Sequence, residues 1–327
     1  MRREEGERGA KVGVEWGEVR GLSRLGDHQS HREAVSAVCM VAGPDSLAVS
    51  ASEDSSLKLY SWARGGVERS VSLRSNRISS ILSPGPATLL MGCWDNSVLG
   101  YNILTGALSH LAAHTDAVSC LAYSAHSQTL LSGSWDGTVK VWRCEAISNF
   151  SLSLTDLVCQ LDHGAAVTCL DVVRDSLATG TTEGEILVWL GHSLAHRLPS
   201  HRQQVNTVKL SPCGEKILSA GSDLSLKVFD LKTGTVIFNK KVGEEVTSLA
   251  WDGVTGLMAG AGGTLTVWDL THSSGQPLVR LAGHEGSVTG LHLARDKEGR
   301  SLIVTGGEDR RVIVWRLETA STICDKL

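Results

Sequence analysis

An all-β fold of seven four-stranded blades set in a ring like a propeller is what this sequence predicts, and three recurring features predict it. The first is a strand-ending phrase that returns seven times: "LKLY" at Tyr60, "VLGY" at Tyr101, "VKVW" at Trp142, "ILVW" at Trp189, "LKVF" at Phe229, "LTVW" at Trp268 and "VIVW" at Trp315. Consecutive endpoints lie 41, 41, 47, 40, 39 and 47 residues apart, a period that suits one four-stranded blade per unit. The second feature is a tight turn before the phrase, as in "EDSS", "WDNS", "WDGT", "TEGE", "SDLS" and "EDRR", itself preceded by a short apolar strand such as "SLAVSAS" or "SLIVTGG". The third lies further upstream in "HREAV", "HTDAV", "HGAAV", "HRQQV" and "HEGSV", where a histidine stands four residues before the valine that opens an alternating inner strand.

The loop histidines predict a buried network. Ser50, Ser132, Thr179, Ser219 and Thr305 stand ten residues before the terminal aromatic in the same five blades that own His31, His114, His163, His201 and His284. Blades two and six lack the histidine and carry Met91 and Met258 at that spacing. A loop histidine, a strand hydroxyl, a turn aspartate and an indole N–H can form one chain of hydrogen bonds. A partial chain strands a buried polar group at a cost of about 1–3 kcal/mol, so an all-or-nothing pattern is expected. Complete sets are His114, Ser132, Asp136 and Trp142 in blade three, and His284, Thr305, Asp309 and Trp315 in blade seven. Glu183 takes the aspartate's place in blade four, while blades one and five end in Tyr60 and Phe229, so their networks are expected to be shorter or to close differently. Five copies of Ser/Thr, His and Asp at a fixed period argue against a hydrolytic triad, which catalysis needs once.

The ring is expected to close by mixing strands from both ends in the last blade, with "EVRGLSRLGDHQS" as its outer strand covering the edge beside Trp315. The reading divides the chain into an unstructured segment 1–15, the propeller 16–317 and a tail 318–327. The long insertion is "RCEAISNFSLSLTDLVCQ", which includes the glycosylation-acceptor pattern Asn149-Phe150-Ser151. Blade six is expected to be the weakest: "MAGAGGTLTVW" loses a turn residue and its aspartate, and "GAGG" lacks the spacing of a phosphate loop.

Composition narrows the function. A formal charge of -4 without a block of basic residues disfavours nucleic-acid binding, and no apolar run approaches a membrane span. The eight cysteines are scattered without a C-x-x-C pair, so no cofactor and no metal are expected, Cys159, His163 and Cys169 being the nearest approach to a ligand set. No single unrepeated catalytic constellation stands out, and the chain reads as a noncatalytic, cytoplasmic protein.

Binding residues are expected on the narrow upper rim, just before the turn aspartate and three and five residues after the loop histidine. Trp94 and Trp135 occupy the same turn position in neighbouring blades, where large rigid apolar groups make good contact anchors. Glu53, Glu245 and Glu308 are expected together elsewhere on the rim, and Arg77, Gln204 and Asn206 complete the candidate set. The partner expected is a protein with an apolar anchor for blades two and three and basic groups for blades six, seven and one.

Period and turn wording together resemble WD repeats. Beyond that, "SWDGTVKVW" with "HTDAVS", "CWDNSVLGYNI" without its histidine, "TTEGEILVW" and "VTGGEDRRVIVW" resemble the carboxy-terminal propeller of the BEACH-domain family that includes the factor associated with neutral sphingomyelinase activation, from about Trp16 to Leu317. That resemblance implies a cytoplasmic adaptor that binds a tumour necrosis factor receptor tail, is recruited to the inner face of the plasma membrane, and couples the receptor to neutral sphingomyelinase and ceramide signalling. The thirty residues before His31 cannot hold the PH-like and BEACH modules of that family, so their lipid-linked functions do not carry over. The competing reading is a substrate-receptor subunit of a ubiquitin ligase. It is weakened because "VWRCE", "VFDLK", "VWDLT" and "VWRLE" lack the Trp-Asp-x-Arg such receptors often show.

Overall fold

The computed structural model describes residues 19–29, 31–41, 47–61, 64–73, 76–147, 151–252, 256–269, 277–295, 298 and 300–319. Segment 1–15, the end of the tail, and Asn149 and Phe150 of the acceptor pattern lie outside the described residues. Short runs alternating between β-branched or aliphatic residues and small polar ones form strands, and turn residues punctuate them. In chain order the strands are β1 (Val19–Gln29), then β2 (Val35–Val41), β3 (Leu47–Ser52), β4 (Ser56–Ser61) and β5 (Gly66–Ser72) as sheet one. Sheet two is β6 (Ile78–Gly85), β7 (Thr88–Cys93), β8 (Ser97–Asn102) and β9 (Leu108–Ala113). Sheet three is β10 (Val118–Ser124), β11 (Thr129–Ser134), β12 (Thr138–Ile147) and β13 (Ser151–Asp162). Sheet four is β14 (Val167–Val173), β15 (Ser176–Thr181), β16 (Glu185–Leu190) and β17 (Ser193–Pro199). Sheet five is β18 (Val205–Leu210), β19 (Lys216–Gly221), β20 (Ser225–Asp230) and β21 (Val236–Lys241). Sheet six is β22 (Val246–Asp252), β23 (Gly256–Ala261), β24 (Thr264–Asp269) and β25 (Pro277–Ala282). The last sheet joins β26 (Val288–Arg295), β27 (Ser301–Gly307) and β28 (Arg311–Thr319) to β1, in the order β1-β28-β27-β26.

Pairing is antiparallel throughout, and β1 meets β28 from Val19↔Thr319 to Gln29↔Arg311, with β1 outermost in its sheet. The core lies between successive sheets. Val35, Val38 and Met40 of sheet one, for example, pack with Leu302, Val304 and Val314 of sheet seven. A glycine in β27 makes this approach possible, because a Cβ on Gly306 would stand 2.5 Å from Val35 Cγ1. The innermost strands β2, β6, β10, β14, β18, β22 and β26 each contact the next, and β26 contacts β2, so the run of contacts returns to its start.

A polar stitch accompanies this packing. Ser79 donates to Val118 O and Thr247 to Val288 O, while Ser119 reaches Val167 O at 2.6 Å and Thr168 reaches Val205 O at 2.5 Å. Asn206 Nδ2 donates to Val246 O at 3.2 Å, and Thr289 donates to Val35 O. The spacing predicts a rim group five residues after each loop histidine position. In these six seams it spends its hydrogen on the first inner-strand carbonyl of the next sheet.

Much of the insertion between sheets three and four is strand. Cys144↔Leu154 through Ile147↔Ser151 pair, so the added residues lengthen the outer hairpin of sheet three. In sheet six the register also departs from the spacing argument. Elsewhere the network hydroxyl faces the residue two before the terminal aromatic, as Ser132 faces Lys140. In sheet six that place belongs to Ala259, opposite Thr266, because the Gly262-Gly263 turn is one residue shorter and shifts Met258 to face Val267.

Candidate functional site

Each hairpin between the second and third strands of a sheet turns at the end where the loop histidines lie. The residue after the turn aspartate, or its counterpart, takes a left-handed conformation in Ser55, Asn96, Gly137, Gly184, Leu224 and Arg310. In sheet three, His114 Nδ1 donates to Asp136 at 2.9 Å, the Ser132 hydroxyl lies 2.7 Å from His114 Nε2, and Trp142 Nε1 donates to Ser132 Oγ at 2.9 Å. Sheet seven repeats the arrangement at 2.9 Å for His284 to Asp309, Thr305 to His284 and Trp315 to Thr305. Burial alone would raise the Asp136 carboxyl, but Thr138, the Thr115 amide and His114 hydrogen-bond to it and hold it well below the usual carboxylate range. Burial pushes His114 down more strongly than Asp136 pulls it up, so the ring is neutral, with Nδ1–H toward Asp136.

Sheets one and five keep the histidine, hydroxyl and aspartate. His201 lies 2.9 Å from Asp223 and 2.8 Å from Ser219, and Phe229 adds no polar group. In sheet one Ser50 lies 2.6 Å from His31 and bonds the Tyr60 hydroxyl at 3.2 Å. Sheet four corrects two expectations. Glu183 is exposed and does not replace the aspartate; His163 Nδ1 donates to Leu161 O at 3.0 Å instead. Thr179 still reaches His163 Nε2 at 2.9 Å, but among the described residues the buried Trp189 Nε1 has no hydrogen-bond partner, so the chain of bonds is not all-or-nothing. Burial pushes His163 down to about 4, and the bond to Leu161 O and the charge of Asp162 offset it only in part. Cys159 and Cys169 do not gather around it: Cys159 Sγ lies 3.2 Å from His192 Nδ1, and Cys169 is buried.

In sheet three the network holds the turn that carries Trp135. Trp94 N donates to Arg77 O and Trp135 N to Ala117 O, both at 2.9 Å, so the two tryptophans have the same backbone setting in adjacent sheets. Both are exposed, Trp94 at 53% and Trp135 at 47%. Trp135 lines a cavity of about 630 Å³ at this end of the molecule, shared with Gln204, Asn206, Glu244, Glu245 and Glu308. The acids were expected apart from the tryptophans; Glu245 and Glu308 instead share Trp135's cavity, and Trp94, Arg77 and Glu53 are not among its lining residues. Glu245 is also less free than its sequence position implies, since it accepts from Asn206 Nδ2 at 2.8 Å and Ser222 Oγ at 2.6 Å. Glu244 was missed by sequence reasoning. Its signal was the shortened turn, because Glu244 Oε2 lies over Gly262 where a side chain would otherwise stand.

Fold and site together define an all-β WD-repeat propeller with a polar, acid-lined cavity at the end that carries the turns. Residues 106–143, 192–230 and 275–316 match the repeat described as WD domain, G-beta repeat. The chain is 27% identical over 230 residues to Autophagy-related protein 16 of Arabidopsis thaliana, covering 67% of this chain and 42% of that protein. It is 22% identical over 285 residues to a p21-activated protein kinase-interacting protein 1-like protein of Xenopus laevis, covering 70% of this chain and 74% of that one. A ribosome biogenesis protein WDR12 homolog of Culex quinquefasciatus is 26% identical over 231 residues, which are 63% of this chain and 53% of that protein. The chain thus spans between 42% and 74% of the length of these relatives. No helix of the described residues is long and apolar enough to cross a membrane.

Proposed function

We propose that this chain is a noncatalytic adaptor, its seven sheets acting as one closed seven-bladed platform, and that the cavity beside Trp135 receives a basic segment of a protein partner. One observation carries the reading: every ionisable side chain lining that cavity is a carboxylate, namely Glu244, Glu245 and Glu308, and a half-exposed indole stands among them. A lysine or arginine would meet both opposite charge and an aromatic face there. Gln204 and Asn206 give such a segment amide groups to register against, and Trp94 extends the apolar surface along the rim of the adjacent sheet. A tumour necrosis factor receptor tail, with coupling to neutral sphingomyelinase, enters as a candidate partner on the BEACH-family resemblance alone.

The test is fluorescence anisotropy with a labelled lysine- and arginine-rich peptide and its glutamate-rich counterpart, run on the intact chain and on Trp135→Ala/Glu308→Gln. The basic peptide is expected to bind, to weaken with added salt, and to lose at least tenfold in the double variant while the fold persists by circular dichroism. Equal binding of both peptides, or no change in the folded variant, refutes the reading. A receptor-tail pulldown with the same variant then decides that candidate separately.

A further inference from the structure

Sheet three is built differently from its neighbours at the outer edge. β12 and β13 run for 10 and 12 residues, whereas β16 and β17 of sheet four run for 6 and 7. Their pairing breaks twice. Val141 faces Cys159 and Trp142 faces Leu157, which leaves Val158 without an opposite residue; Cys144 then faces Leu154, leaving Thr155 and Asp156 to bulge opposite Arg143. Bulges of this kind redirect side chains and are concentrated beside binding sites.

Here the irregularity borders a cavity of about 510 Å³ between sheets three and four, at the end opposite the Trp135 turn. Its apolar wall is formed by Leu131, Val141, Leu161, Val172 and Leu177, with Val158 from the bulge. Its charged rim is formed by Arg143, Arg174, Glu145 and Asp175. Asp175 faces His126 at 3.9 Å, while among the described residues neither arginine has a carboxylate within ion-pair distance. The rim thus holds two guanidinium groups that no carboxylate of the described residues occupies, with Glu145 and Asp175 beside them. The volume falls in the range of small-molecule sites, roughly 300–1,000 Å³, and an aliphatic wall with a few convergent polar groups is their usual composition.

We propose that this cavity binds a small amphipathic carboxylate, with its hydrocarbon against Leu131, Val141, Leu161 and Leu177 and its carboxylate on Arg143 and Arg174. Guanidinium groups suit that head because they donate two parallel hydrogen bonds to a carboxylate. The site stands apart from the Trp135 cavity and does not depend on the adaptor reading.

The experiment titrates sodium octanoate into the intact, isotopically labelled chain and follows backbone amide shifts, with octylammonium and octanol as probes of the same length and different charge. Saturable shifts are expected along β11, β12, β13 and the β14–β15 turn, with octanoate binding more tightly than either control. In Arg143→Gln/Arg174→Gln octanoate should weaken at least tenfold while octanol is unchanged, and Val158→Trp should block all three. Non-saturating octanoate shifts, octylammonium binding as tightly as octanoate, or equal octanoate affinity in the double arginine variant would overturn the proposal. The comparison of three probes on the unaltered chain decides the matter even if a variant folds poorly.

Discussion

Thr305 and Thr179 offer a matched pair of substitutions that tests what a hydrogen-bonded indole contributes. Both hydroxyls are fully buried, both lie 2.9 Å from a histidine Nε2, and both make a long contact to a strand carbonyl, 3.4 Å for Thr305 and 3.3 Å for Thr179. They differ in one bond: Trp315 Nε1 donates to Thr305, whereas Trp189 Nε1 has no partner among the described residues before any change is made. Thr305→Val therefore strands a histidine acceptor and an indole donor, and Thr179→Val strands only the histidine. With about 1–3 kcal/mol for each stranded buried group, the first variant should lose about 2 kcal/mol more than the second. Taking about 2.1 cal/mol/K of unfolding entropy per residue over 327 residues, the total is about 0.7 kcal/mol/K, so the melting temperatures should differ by about 3 °C. Guanidinium unfolding followed by tryptophan fluorescence, with a parallel calorimetric melt, measures both. Equal losses in the two variants, within about 0.5 kcal/mol, would refute the account, because the indole bond would then contribute nothing.

The remaining expectations are quicker to state. His163 is held neutral by burial, with its folded value near 4 below the ordinary 6.5, so the stability it contributes is complete above about pH 6.5 and is lost as pH falls toward 4. Urea midpoints should drop over that window, and the slope should flatten in His163→Gln; a pH-independent midpoint between 7 and 4.5 contradicts this. Gly184→Ala should destabilise by about 3 kcal/mol or more, since its φ of 81° is left-handed and a Cβ would stand 2.3 Å from His201 O. Gly164→Ala, with a φ of 79° and nothing within 4 Å, should cost only about 1 kcal/mol in the same denaturation assay. Amides of β22–β24 should exchange hydrogen faster than those of β10–β12, because sheet six has neither a loop histidine nor a network hydroxyl; equal protection would show that the ring imposes one stability on every sheet.

Much of this architecture was legible because the repeated unit is chemically distinctive. A histidine, a hydroxyl, an aspartate and an aromatic at fixed offsets leave little freedom for where turns and strands begin, and the outer position of β1 followed from its likeness to "GALSHLAAH" and "PLVRLAGH". What escaped reading depended on register and on backbone partners. Counting ten residues back from Trp268 pointed to Met258, but a hairpin one residue shorter puts Ala259 in that place. Glu183 stood where an aspartate was expected, yet the histidine could turn to a carbonyl, which no side-chain pattern announces. On the rim, Ser119, Thr168 and Asn206 looked available for a partner until the neighbouring sheet supplied valine carbonyls for them. The acid-lined cavity joins residues from sheets three to seven and could not be assembled from any one repeat.

The pairing of β1 with β28 also sets a timetable. Gln29 and its partner Arg311 are separated by 282 residues of chain, the difference between those two positions. At roughly 5–20 residues per second, a ribosome needs about 15 to 60 s to make the second after the first. During that interval β1 has left the tunnel with its hydrogen-bonding edge unsatisfied while the middle sheets can already form, each from contiguous sequence. β1, made before the other described strands, is thus among the last of them to find its place, and a nascent chain of this design has to keep that strand from pairing elsewhere until the final hairpin emerges.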